Sequence, residues 1–208
     1  MTTIRIRTTP EVVPSLQPDE IFVFGSNTAG VHGGGAAKTA LAKFGAIYGQ
    51  GCGRQGQSYA IPTKNEFICT LRTDVIGKHI DDFLFYARGN PQLTFWLTPI
   101  GCGLAGLKPE VIAPFFRDAP ENVILPQSFQ QELGLPYLSR HAGTFFGDIY
   151  QLDSQGHHKK IHTLPHPYTE PYELPVEKLV RPTLIYGIDW AAGPDESVTV
   201  GVDIPVTP

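Results

Sequence analysis

The feature that most restricts this chain is an arrangement it uses twice: a short apolar run that empties into a glycine-rich loop and then into a helical pattern. Ile21-Phe22-Val23-Phe24 leads into GSNTAGVHGGGAAKTA at 25–40, and Thr94-Phe95-Trp96-Leu97-Thr98 leads into the loop of TPIGCGLAGLKP at 98–109. Runs this short and this apolar suit strands buried on both faces. Ala36, Ala37, Ala40, Leu41 and Phe44 recur at helical spacing after the first loop, and Pro109 suits the first turn of a helix reaching about Phe116 after the second.

The pattern continues between and around these units. Thr2 to Thr8 alternates apolar and polar side chains as a half-buried strand does. A glycine-rich stretch at 49–57 precedes a strand at Ser58-Tyr59-Ala60-Ile61, which Pro62 is expected to close. Asp74 is the expected N-cap of a helix running to about Arg88, and Gly89-Asn90 its stop. Asn122-Val123-Ile124-Leu125 reads as a closing strand. Strands and helices alternating in this way indicate a mostly parallel sheet covered on both faces, whose ligands bind beyond the carboxyl ends of the strands.

After about residue 130 the pattern weakens, and 137–182 is rich in Pro, His and Tyr. Thr144–Leu152 reads as a short strand there. Residues 183–188 and 197–204 read as two strands joined by an Ala-Ala-Gly-Pro-Asp turn.

Composition narrows the function classes. A formal charge of −4 supplies no basic footprint for phosphate neutralisation along DNA or RNA, so no nucleic-acid partner is expected. No run approaches the length of a membrane span. The three cysteines Cys52, Cys69 and Cys102 have neither CxxC spacing nor an even count, which fits a reducing cytoplasm.

Both glycine loops have the physics of anion sites. Successive backbone N–H groups can point at phosphate oxygens, and a helix N-terminus adds its positive end. The candidate ligand-binding residues are Gly25, Ser26, Asn27, Gly33, Gly34, Gly35 and Ala36 in the first unit, and Thr98, Gly101, Cys102, Gly103, Leu104, Ala105 and Gly106 in the second. Asn27 is placed to meet a ribose hydroxyl. Phe129 is a candidate for stacking on a base. His32 and Lys38 flank the triple glycine as candidate acid, base or phosphate contacts. Cys102, inside an anion loop, is a candidate for a lowered pKa, against the simpler role of a small residue that lets the loop fit.

No metal or other cofactor is expected. Pro165 and Pro167 break the helix that would align His162 with His166, so His157, His158, His162 and His166 read as an exposed polar loop. Asp189 and Asp195 read as part of a Gly-Pro-Asp turn.

With Asn27 at a strand end, Gly33-Gly34-Gly35 entering a helix, the 49–65 stretch, and Gly101 to Gly106 after a later strand, residues 19–127 resemble the macrodomain family, in a divergent phage and bacterial branch. The resemblance implies a three-layer α/β fold with a mixed, mostly parallel sheet and helices on both faces over residues 1–130. Residues 131–208 would form a β-containing C-terminal extension or a small β-rich subdomain. It implies binding of ADP-ribose or a related NAD-derived nucleotide, the distal ribose near Asn27 and Gly33–Gly35 and the diphosphate at 101–106. Some members hydrolyse ADP-ribosyl bonds. In the common hydrolase branch an acidic residue follows the glycines, where this chain has Ala36-Ala37. Asp19 and Glu20 stand near the first strand without a clean match to the family's acidic adenine contact.

Binding is therefore the leading expectation, with hydrolysis as its alternative. An NAD(P)-using Rossmann-like module fits less well, because no true GxGxxG turn with a later acid follows the first strand. A structural protein that docks through its Pro- and Tyr-rich tail is the remaining class.

Overall fold

The computed structural model describes residues 3–140, 147–153, 155–163, 172–175 and 202–203. In chain order the elements are β1 (Thr3–Ile6), β2 (Glu20–Asn27), α1 (Gly35–Lys43), β3 (Gly53–Gln55), β4 (Ser58–Lys64), α2 (Thr73–Arg88) and β5 (Thr94–Leu97). There follow α3 (Pro109–Ile112) with a 3-10 turn at Ala113–Phe116, β6 (Val123–Ile124), α4 (Gln127–Glu132), β7 (Tyr137–Arg140), β8 (Gly147–Leu152), β9 (His158–Thr163), β10 (Tyr172–Pro175) and β11 (Val202–Asp203).

The fold is mixed α/β. Its main sheet has five strands in the order β3-β4-β2-β5-β6; β4, β2, β5 and β6 are parallel, and β3 is the antiparallel edge. Side-chain alternation along β2 gives this sheet two buried faces. Ile21 and Val23 join Tyr59, Ile61, Phe95 and Leu97 in one cluster with Ile76, Ile80, Phe83, Leu84 and Ala87 of α2. Phe22 and Phe24 join Ala60 in a second cluster with Ala37 and Ala40 of α1 and with Phe44. In the first cluster Phe83 stands edge-on to Phe95 at 5.5 Å and tilted against Tyr59 at 5.0 Å, geometries aromatic rings prefer.

The main core does not stop at residue 130. Helix α4 crosses that position, and Leu133 and Leu135 belong to the α2-side cluster. Beyond it β7, β8 and β9 form an antiparallel three-stranded sheet. A buried polar network ties this sheet to the N-terminal arm. The Thr8 hydroxyl donates to Gln130 Oε1 at 2.7 Å and accepts from the Leu138 amide at 2.9 Å, while Gln130 Nε2 donates to the Arg7 carbonyl at 2.9 Å. Strand β1 pairs antiparallel with β10 and β11 in a third sheet.

Several expectations change. Pro62 lies inside β4 and does not close it. β3 pairs only with Ser58 to Ala60, so Pro62 stands beyond the β3 ladder and costs it no bond. Arg72, not Asp74, holds the N-cap position of α2; Asp74 sits in the first turn, where it favours the helix dipole and pairs with Arg72 at 3.0 Å. The stretch read as an exposed histidine loop is in part strand β9, with His157 paired to Asp153 at 3.7 Å and His158 hydrogen-bonded to the Tyr137 hydroxyl at 3.2 Å. The strand expected at 144–152 begins at Gly147 among the described residues. Residues 183–188, His166, Asp189 and Asp195 lie outside the described residues, and of 197–204 only Val202–Asp203 is described. Among the described residues no helix is long and apolar enough to cross a membrane.

The assignment of faces on α2 predicts a contrast within one helix. Ile80 is fully buried and Phe85 is 79% exposed. Ile80→Ala should lower urea stability by about 2–5 kcal/mol, and Phe85→Ala should change it by less than about 0.5 kcal/mol. Equal losses would mean that the wrong face has been assigned to the core.

Candidate functional site

Parallel pairing sends β2, β4 and β5 out of the sheet in one direction, so their loops emerge at a common edge. These loops touch. The Thr28 amide donates to the Lys64 carbonyl at 3.0 Å and the Thr28 hydroxyl to Glu66 Oε2 at 3.2 Å, joining the β2 loop to the β4 loop. Thr70 Oγ1 donates to the Ala105 carbonyl at 2.8 Å, joining the β4 loop to the β5 loop. A β-carbon at Gly25 would lie 3.4 Å from the Gly101 amide nitrogen, and one at Gly34 would lie 2.9 Å from Leu104 Cδ1, so the two glycine loops also meet directly.

The first loop is built around its own backbone. Asn27 is buried; its Nδ2 donates to the Val31 carbonyl at 2.7 Å and its Oδ1 accepts from the Val31 amide at 2.9 Å. The side chain expected to meet a ribose thus first closes the loop that carries it. Ser26, also buried, donates its hydroxyl to the Gly51 carbonyl. Gly30 has φ +68°, and a β-carbon there would collide with the Gln50 amide nitrogen at 2.3 Å. Helix α1 then starts with Gly34 at the N-cap, no side-chain cap and no acidic residue in its first turn. The Lys38 amide makes the bond to the Gly34 carbonyl at 3.2 Å, so the amides of 34–37 have no acceptor within the helix. Ala36, in that first turn, packs against the α1-side core.

The second loop spends part of its donor set internally. Cys102 N donates to the Pro99 carbonyl at 3.1 Å and Gly106 N to the Gly103 carbonyl at 2.9 Å. Thr98 Oγ1 donates to the Val23 carbonyl at 2.8 Å and so belongs to the sheet end. Gly103 and Leu104 face solvent, and Leu104 keeps 74% of its surface exposed while resting on Gly34.

The candidate chemical groups are not brought together as the sequence suggests. His32 is 1% exposed, with its ring edge-on to Phe24 at 5.2 Å. Its Nε2 lies 3.1 Å from the Gln50 carbonyl oxygen, which can only accept, so Nε2 carries the proton. His32 therefore packs the loop against 49–51 and does not face solvent as an acid or base. Lys38 is exposed on α1. Cys102 departs furthest from expectation: burial, then the nearby Glu110 carboxylate, push its thiol up to about 11. Phe129 is fully buried on α4, stacked on Phe116 at 5.6 Å, and offers no face to a base. Asp19 and Glu20 lie at the amino end of β2, away from its loop.

The β4 loop was missed by sequence reasoning. Asn65 Oδ1 accepts from the Phe67 amide at 3.0 Å and the Cys69 amide at 2.9 Å, and the Asn65 amide donates to the Cys69 carbonyl at 2.8 Å. Ile68 is held at φ +63°, a region that costs a β-branched residue on the order of 1–2 kcal/mol. The available signal was Asn65-Glu66, a turn former after a strand, followed by apolar residues with no helical or strand period.

No family model matches this chain, and no curated protein matches it. Among solved structures, a protein of unknown function from Bacteroides thetaiotaomicron is similar at 14% identity and a TM-score of 0.40, over 54% of this chain and 90% of that one. A similarity at this level carries no argument.

Gly30→Ala should cost more than about 2 kcal/mol in urea, whereas Gly33→Ala, where a β-carbon would meet nothing within 4 Å, should cost less than about 1 kcal/mol; the reverse order would contradict the packing. In a Cys52→Ser, Cys69→Ser background, alkylation of Cys102 should rise roughly tenfold per pH unit between about pH 8 and 10, because only the thiolate reacts. A rate already level below pH 8 would show a thiol with a lowered pKa.

Proposed function

We propose that the chain binds ADP-ribose or a closely related NAD-derived nucleotide at the edge where the β2, β4 and β5 loops meet. The observation that carries this reading is the contact of Leu104 with Gly34, which sets the β5 loop against the uncapped start of α1. Amides without an intrahelical acceptor, beside a second glycine loop, suit a phosphate or diphosphate. In this reading the residues of 33–37 hold one phosphate and the exposed turn at Gly103 and Leu104 borders the other. The macrodomain-like, three-layer arrangement belongs to the same proposal. Its support is the α1 and α2 clusters on alternate side chains of β2.

Binding is favoured over hydrolysis by the groups at this edge. Ala36-Ala37 stand where the hydrolase branch carries an acid, His32 is buried, and the Cys102 thiol is held protonated near neutral pH. Any reaction would therefore need a group other than these.

Calorimetric titration with ADP-ribose, NAD and AMP in parallel tests the proposal, with Gly34→Glu as the blocked site. Gly34 has an ordinary extended φ of −152°, and the neighbour its new side chain meets is the flexible end of Leu104, so the variant should fold. The expected result is selective ADP-ribose binding, weakened at least about tenfold in Gly34→Glu by a carboxylate beside the phosphate. Absence of binding to all three ligands by the native chain would overturn the reading.

A further inference from the structure

Ten large hydrophobic side chains stand exposed among the described residues, and six of them belong to the loop edge: Val31, Ile47, Tyr48, Phe67, Ile68 and Leu104. Single exposed apolar side chains are ordinary on a protein surface, but a contiguous group of them marks a contact surface. Bonds between the loops bring this group together. The Gly49 amide donates to the Gly30 carbonyl at 3.0 Å, Thr28 reaches Glu66, Thr70 reaches Ala105, and Leu104 rests on Gly34. The Asn27 and Asn65 side chains hold the turns that carry Val31 and Phe67. These loops are thus ordered before any contact is made, which lowers the entropic cost of making one.

Charge and area select the occupant. In residues 28–34, 45–52, 65–71 and 101–107 Glu66 is the one Asp, Glu, Lys or Arg, and it already accepts from Thr28. A strongly charged partner would find nothing here to pair with. A second copy, although each carries a formal −4, would meet no like charge across the rim. Phe67 is 77% exposed and Tyr48 67%; with the four aliphatic side chains they leave roughly 500 Å² of apolar surface in water. A stable interface takes about 800 Å² from each partner, a little over half of it apolar, or about 450 Å². We propose that two copies of this chain pair through the loop edge, the same rim facing itself across a two-fold axis. Pairing needs only the rim and not the nucleotide proposed above.

Sedimentation velocity of the full chain between about 1 and 200 µM tests this, with a dissociation constant on the order of 10 µM expected. Phe67→Asp and Leu104→Asp, on different loops, should each weaken pairing at least about tenfold, because each places a carboxylate in the apolar contact. Phe85→Asp, at an equally exposed site in the last turns of α2, should leave pairing unchanged. A native chain that stays monomeric throughout would overturn the proposal. So would a dimer that survives both rim substitutions, or one that Phe85→Asp weakens as much as they do. Bound ADP-ribose should shift the dimer toward monomer, since both cover the start of α1; a dimer unmoved by bound ADP-ribose would place the interface elsewhere and overturn the proposal. Failure of ADP-ribose to bind would overturn the nucleotide reading alone.

Discussion

Everything at the loop edge depends on how closely the 49–51 backbone approaches the segment after β2. A side chain at Gly30 would overlap the Gln50 amide, and one at Gly51 would lie 2.2 Å from the Asn27 carbonyl oxygen. These absent side chains let two stretches of main chain lie against each other. The Asn27 clamp on Val31 and the His32 contact with Gln50 then fill the junction. With the first loop fixed, α1 starts where Leu104 can reach its N-cap. The site is thus a consequence of backbone packing more than of any charged side chain.

The sheet beneath supplies the direction. Alternate residues of β2 face two different apolar clusters, so a one-residue slip of its register would exchange Ile21 and Val23 with Phe22 and Phe24 and expel both sets from their partners. The crossovers that carry α1 and α2 set β4 and β5 parallel to β2 and deliver their loops to one edge. Chemistry there is limited by the same packing. The β5 loop commits the Cys102 and Gly106 amides to its own carbonyls, while burial and Glu110 act on the Cys102 thiol in the opposite sense to an anion hole.

The parts legible in the sequence were those with a strong period or a concentrated composition. β2, α1, α2 and β5 stand near where the apolar spacing puts them, and the two glycine loops follow the strands as expected. β3, α4 and β7 were not legible: GRQ, QSFQQE and YLSR lack the continuous apolar run that marks the equally short β5. Phe129 follows a strand and so resembles a base-stacking residue, but the six-residue helix α4 turns it into the core beside Phe116. Asn27 stands at the end of its strand as expected, and its side-chain partners are local, which no spacing rule reveals. The β4 loop stayed hidden because its order comes from Asn65 reaching amides two and four residues ahead. In the sequence, Phe67 looks like any core phenylalanine.

In the proposed site the start of α1 and the 103–105 turn of the β5 loop act as one phosphate-binding edge. Backbone amide chemical shifts, followed by two-dimensional NMR during titration with ADP-ribose, test it residue by residue. Large shifts are expected at the amides of 33–37 together with those of 103–105, moving with one common affinity. Shifts confined to another surface, or different affinities for the two loops, would contradict it.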